Sequence, residues 1–237
     1  MTLVMIGQTI RYLRQRMIKM IEVTYIDHMG SDISVVNAAR VSFGKKSGWA
    51  SFKSGDAHRG VLHDKDRKLI HYLAEHKHLS PFGHCFASFH IKAPVFVARQ
   101  LVKHKFLRWN EISRRYVDTE PEFYEPDSWR GRSEDKKQGS EGIVQIYMDQ
   151  GMQWYRQMTA YENLINNGVC PEQARMLLPQ SMMTEWYWSG SLDAFADMCN
   201  LRCASDTQLE TRIVANGICN KMKELFPVSW FALRLEK

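Results

Sequence analysis

"HLSPFGHCFASFHIKAPVFVARQLVKH", residues 78–104, decides how this chain folds. Pro81 and Gly83 break regular structure and make 78–84 a turn. From Cys85 to Ala93 apolar and small or polar side chains alternate, the period of a strand with one buried face. Pro94 stands where a helix can begin, because the N–H it lacks would be an orphan there anyway. The spacing then predicts a helix over 94–104. Upstream, "IEVTYID" (21–27) alternates with β-branched residues and reads as a second strand.

Outward from this centre, Ser31 or Asp32 caps a short helix ending near Ala39. Residues 43–60 are rich in Gly, Ser and Lys, a loop long enough to suggest a functional segment. Leu62 to Glu75 has a helical stripe, and 119–141, with Pro121, Pro126, Gly131 and Gly139, reads as a surface connection. The spacing of Ile146, Met152, Tyr155, Met158, Tyr161 and Leu164 predicts a long helix from Ile143 to about Asn166, stopped by Gly168. Pro171 opens a further helix, "PEQARMLL"; 182–190 reads as a strand; 191–202 and 206–226 read as helices. No repeat or linker divides the chain, so one α+β domain is expected over 21–237. Residues 1–20 form a basic extension, with Met17 or Met20 as alternative starts.

The chain has 237 residues, a net charge of +6 and a pI near 9.0. That balance favours anionic partners, whether nucleotides, nucleic acid or a membrane surface. No apolar run approaches the roughly 20 residues that span a bilayer. The five cysteines form no Cys-x-x-Cys pair and no zinc spacing, which fits reduced thiols in a cytoplasmic protein. Histidines 71, 76, 78, 84 and 90 fall on different elements and read as structural, so no metal site is expected. There is no Walker loop and no G-x-G-x-x-G after a strand. Bound phosphates must therefore be held by side chains and loop amides.

"VKHKFLRWNEISRRYVD" (102–118) is the best place for that. Lys103 and Lys105 at a helix end have an ordinary explanation, since cations complement its negative pole. "NEISRR" is more pointed: Glu111 is an acceptor among cations, Ser113 a small donor, and Arg115 a fork for phosphate. No base stands next to Ser113, so it reads as a binding group rather than a nucleophile. Arg175 and Arg202 lie in apolar company and call for an ion-pair or ligand partner.

Together these segments resemble the flavin-dependent thymidylate synthase family. Its signature is Arg-His-Arg, seven residues, then Ser; here Lys103-His104-Lys105 and Ser113 keep the spacing. Asn110, Glu111, Ser113, Arg115 and Tyr116 match the pattern Asn-Glu-x-Ser-x-Arg-Tyr. "NAARVS" (37–42), residues 78–100, "EQARMLLP" (172–179), "WSGSLDAFADMCNLR" (188–202) and the helix of Gln208 and Glu210 resemble the family in order, over about 21–230.

The resemblance implies an α+β fold with a central antiparallel sheet flanked by helices. It implies dTMP synthesis from dUMP, with carbon from methylenetetrahydrofolate, hydride carried by FAD, and NADPH as reductant. A homotetramer with active sites where subunits meet is implied too, with no nucleic acid or membrane partner. Carried over by position, Gln100, Leu101, Val102, Lys103, Glu111, Ile112, Ser113, Arg114, Arg115, Arg175 and Arg202 contact dUMP. Arg202 is the catalytic group, favouring negative charge on the pyrimidine. Ser80, Lys103, His104, Lys105, Glu111, Ser191, Leu192, Asp193 and Asp197 bind FAD, with Ser42 and His78 near the flavin. Lysine replaces arginine at 103 and 105, keeping charge but losing the bidentate fork, and Arg108 stands where it can compensate. Gly83 stands where the family often has an acid, and Asp193 and Asp197 stand where basic or amide side chains are frequent. Two alternatives remain: a relative with lost flavin chemistry, and a nucleic-acid-binding protein with contacts spread over a basic face.

Overall fold

The computed structural model describes residues 20–52, 60–117, 119–134, 139–146 and 150–234. The expectation for residues 1–20 falls outside these, Met20 excepted. In chain order the elements are β1 (Glu22–Met29), α1 (Asp32–Arg40), β2 (Ser51–Phe52), β3 (Gly60–Val61), α2 (Asp64–Glu75), β4 (Phe86–Pro94), α3 (Val95–Leu101) and β5 (Arg108–Glu111). Then follow β6 (Trp129–Arg132), β7 (Ser140–Val144), α4 (Gln150–Asn166), α5 (Pro171–Ala174), β8 (Met183–Ser191), α6 (Leu192–Arg202), α7 (Leu209–Leu225) and α8 (Pro227–Leu233).

The central sheet runs β1-β4-β8-β5, antiparallel throughout. Its alternation sorts the side chains. Ala87, Phe89, Ile91 and Ala93 of β4 face the core beside Trp186 and Trp188 of β8. Phe195 of α6 meets Phe89 and Trp188 edge-on, with ring centroids 5.3 and 5.8 Å apart. The other face is polar and partly open. Ser88 bonds Ser189 at 2.9 Å, His90 lies 3.1 Å from Glu185, and Ile26 and Tyr187 are exposed. A smaller core of Phe123, Trp154, Met158 and Met182 seats α4.

Several boundaries differ from the sequence expectation. The helix expected over 94–104 stops at Leu101. The next residues turn, and Arg108–Glu111 add an edge strand to β8. Gly190 permits this approach, since a Cβ there would come 2.2 Å from Leu107 Cδ2. The surface connection contains a hairpin, β6 with β7, so α4 begins at Gln150 and not at Ile143. Ladder pairing overrides the helical spacing there, and Ile143 and Ile146 stay exposed. "PEQARMLL" is one turn of α-helix followed by a 3-10 turn.

The helix α8 has no cap of its own, because the residue before it is Phe226. Asp32 supplies the cap from far away in sequence: the N–H groups of Val228 and Ser229 donate to its carboxylate at 3.0 and 2.8 Å. Asp32 is buried, so nothing else replaces those bonds. Asp32→Ala is expected to cost about 2 kcal/mol, read in thermal melts as a drop of roughly 4–8 °C; Asp32→Asn, which keeps an acceptor, should lose less.

Candidate active site

After α3 the chain makes a tight turn, with the His104 N–H donating to the carbonyl of Leu101 at 3.1 Å and the Leu107 N–H to that of His104 at 3.2 Å. This turn leaves Lys103 and Lys105 exposed and tucks His104 between them. His104 packs over Trp188, and its Nε2 accepts a hydrogen bond from Arg202 Nε at 3.2 Å. Nε2 is therefore unprotonated and the ring neutral. Burial, with the Arg202 charge behind it, holds His104 down at about 4.

That shift has a consequence for stability. The folded protein resists a proton that the unfolded chain takes up near 6.5. Stability from His104 is thus full above about 6.5 and is lost as pH falls towards about 4. His104→Gln keeps an acceptor for Arg202 without titrating. Melting temperature against pH should be flatter between those limits in the variant than in the parent.

Arg202 closes α6. Burial lowers its pKa, and among the described residues no carboxylate pairs with it. It lines a cleft of about 480 Å³ with Gln100, Arg130, Ser140, Thr207 and Gln208. The Gln100 amide is fixed on both sides: its Nε2 donates to Gln208 Oε1, and its Oε1 accepts from Thr211 Oγ1 at 3.1 Å. An unneutralised guanidinium beside held amides suits an anionic or polarisable ring.

A second cleft, about 340 Å³, is lined by Val102, Glu111, Ile112, Arg114 and Arg175, with Met182 on its apolar wall. Glu111 is held at the end of β5: Thr184 Oγ1 donates to it at 2.6 Å and Trp109 Nε1 at 3.1 Å. Trp109 itself stacks on Trp186, centroids 4.3 Å apart. Arg114 donates to the Thr119 carbonyl and Arg175 to that of Glu172. Arg115 pairs with Glu172 at 3.5 Å on the surface. Ser113 Oγ accepts the Arg115 N–H at 3.3 Å. Of the expected dUMP residues, Gln100 and Arg202 line the first cleft and Val102, Glu111, Ile112, Arg114 and Arg175 the second, with no lining residue shared; Lys103, Ser113 and Arg115 line neither. Leu101 is buried, so only its backbone is available.

The expected FAD residues are more scattered. Ser80 and His78 are exposed at the turn after α2, and Ser42 sits between exposed Val41 and Phe43. Ser191 precedes α6, whose first turn carries Asp193, while Leu192 is buried. Asp193 Oδ1 is buried without a hydrogen-bond partner among the described residues. Asp197, one turn on, is raised by burial and by the Asp193 charge. Strand alternation puts Arg108 on the face opposite Trp109 and Glu111.

Sequence reading missed the hairpin's part. Arg130 of β6 reaches the first cleft and donates to the buried carboxylate of Glu210 at 2.7 Å and to Ser140 Oγ at 2.8 Å. Tyr124 OH donates to the same Glu210 oxygen at 3.3 Å, and burial with that carboxylate raises Tyr124 to about 12. Two arginines flanking Gly131 in "WRGR" were the only local signal.

The model of the thymidylate synthase complementing protein family matches residues 24–228. A flavin-dependent thymidylate synthase of Thermus thermophilus is 38% identical over 215 residues, covering 89% of this chain and 74% of that protein. Another, from Kosmotoga olearia, is 36% identical over 235 residues, covering 94% of this chain and 92% of that protein. Among solved structures, a UMP/dUMP methylase, PolB of Streptomyces cacaoi, bound with 5-Br dUMP, superposes with a TM-score of 0.72 at 28% identity, covering 91% of this chain and 95% of that one. The agreement runs from β1 into α8, and this chain belongs to the flavin-dependent thymidylate synthase family.

Proposed function

We propose that this chain makes dTMP from dUMP with Arg202 at the pyrimidine, taking the carbon from methylenetetrahydrofolate and using NADPH as reductant. The observation that carries the reading is the unpaired, part-buried Arg202 held by neutral His104 over a cleft with fixed amides. A guanidinium there stabilises negative charge on the ring, and the electron density gained at C5 makes that carbon the nucleophile. His104 occupies Nε of Arg202 and leaves its terminal nitrogens for the ligand. Glu111, oriented by Thr184 and Trp109, is placed to accept from a ribose hydroxyl. Lys103, Arg114, Arg115 and Arg175 offer charge to phosphate.

FAD, when bound, supplies the hydride that completes the methyl group. The chain fits such a dinucleotide in two respects. Lys103 and Lys105 are exposed cations beside His104. Asp193 Oδ1 is an orphaned acceptor, which suits a sugar hydroxyl and not a phosphate. Lys103→Arg with Lys105→Arg restores two bidentate forks, so FAD should bind about tenfold tighter by flavin fluorescence titration. Unchanged affinity would place the phosphates elsewhere.

A homotetramer is part of the proposal. Two clefts with no residue in common can serve one nucleotide when a second copy brings the missing half. Exposed Ile26 and Tyr187 on the otherwise polar sheet face, with exposed Val41 and Phe43, are apolar side chains that a second copy can cover. Sedimentation should return four chain masses. Chromatography of the products tests the activity: dTMP should form with dUMP, methylenetetrahydrofolate and NADPH together, and omission of any one should stop it. No dTMP from a flavin-loaded preparation would favour a relative without synthase activity.

A further inference from the structure

The amides beside Arg202 have a direction, and it is set from the core. Thr211, fully buried on α7, donates from Oγ1 to Gln100 Oε1 at 3.1 Å. Gln100, near the end of α3, donates in turn from Nε2 to Gln208 Oε1. Gln208 stands at the head of α7 but its side chain does not cap that helix; it lines the Arg202 cleft instead. With its oxygen taken, the group Gln208 has left to offer is Nε2, a donor that makes no hydrogen bond among the described residues.

That direction is not free to reverse. Turning either amide alone sets like against like, N–H against N–H or oxygen against oxygen. Turning both makes Thr211 an acceptor and leaves its buried O–H without the acceptor it has here. The cleft therefore meets a ligand with donors. Arg202 keeps its terminal nitrogens, and Gln208 Nε2 joins them. Arg130, which also lines the cleft, already gives Nη2 to Glu210 and Nε to Ser140. Uracil and cytosine differ at position 4, a carbonyl oxygen that accepts in the first and an amino group that donates in the second. A held N–H fits the oxygen; against the amino group it is left facing another donor.

We propose that Gln208 selects uracil over cytosine by reading position 4 of the pyrimidine, with Gln100 and Thr211 as positioning residues that fix its direction. The proposal rests on the reading that puts the pyrimidine in the Arg202 cleft. Arg202 cannot make this choice by itself. Its guanidinium meets acceptors on either base, since O2 and N3 of cytosine both accept. Gln208 decides which base is held, and Arg202 decides what charge the held base carries.

Calorimetric titration of the full chain with dUMP and with dCMP is the test, read as the ratio of the two affinities. The parent should favour dUMP by about 100-fold. In Gln208→Leu, which removes the donor at a part-exposed position, the ratio should fall below about tenfold. Gln208→Glu takes the Gln100 bond on one oxygen and offers the other as an acceptor, so its ratio should fall furthest. Thr211→Val should lower the ratio too, and Thr211→Ser, which keeps the hydroxyl, should restore it. A purely structural loss weakens both nucleotides alike and leaves the ratio unmoved. A parental ratio in Gln208→Leu, or a parent that binds both nucleotides within about threefold, overturns the proposal. If Arg202→Ala has then lost turnover, the pyrimidine reading stands without it. A ratio lost in Gln208→Leu beside parental turnover in Arg202→Ala upholds Gln208 and removes only Arg202.

Discussion

Arg202→Ala should lower the turnover of dUMP by roughly 10²–10³-fold, the range seen when one preorganised donor to a developing charge is removed. The fold should survive, because Arg202 is part-exposed at a helix end and, among the described residues, makes one side-chain bond, to His104. Circular dichroism and melting temperature should stay near the parent's. Arg202→Lys keeps the charge but not the planar fork or the Nε bond to His104, so it should recover only part of the rate. The loss should fall mainly on kcat, since the charge on the ring grows as C5 attacks. Parental turnover in Arg202→Ala would remove this residue from the chemistry.

Glu210→Ala should give the largest loss of stability. Its carboxylate is buried and takes donors from Arg130 and Tyr124. Removing it leaves a phenol and a guanidinium without their acceptor, at a cost of about 3 kcal/mol. For a chain of this size that is about 6–12 °C in melting temperature. Arg130 retains some contact with water, which keeps the loss towards the lower end. Glu210→Gln preserves an acceptor and should lose about half as much. Breaking the exposed Arg115–Glu172 or Lys221–Glu224 pair should cost under about 0.5 kcal/mol. A melting temperature for Glu210→Ala within about 1 °C of the parent would show that the hairpin is not pinned there.

What could be read from the sequence was what neighbours in sequence decide. The alternation of Phe86–Pro94 and the pattern of 21–27 gave the central strands, because their burial follows a period of two. Ser31 marked the start of α1, and Gly168, at a positive φ, the end of α4. Elements whose partners are distant escaped. The four residues of β5, Arg108 to Glu111, are a strand only because β8 offers an edge. The start of α8 depends on Asp32, and the hairpin depends on Glu210. Ile143 and Ile146 fit a helical stripe by spacing yet lie on the exposed hairpin and beyond it.

The candidate site divides along the same line. Lys103, His104, Glu111 and Ser113 stand out as a local run with a recognisable spacing. Arg202 was singled out for its apolar company, but its His104 contact spans two elements. Arg130 had no such local mark.

One anaerobic spectrum tests the central claim most directly. Purified protein loaded with FAD should be yellow and should bleach with NADPH. Adding dUMP and methylenetetrahydrofolate together should return the flavin absorbance, with one dTMP formed for each flavin reoxidised; either alone should not. A protein that takes up no FAD, or a reduced flavin that stays bleached when both substrates are present, would contradict the account.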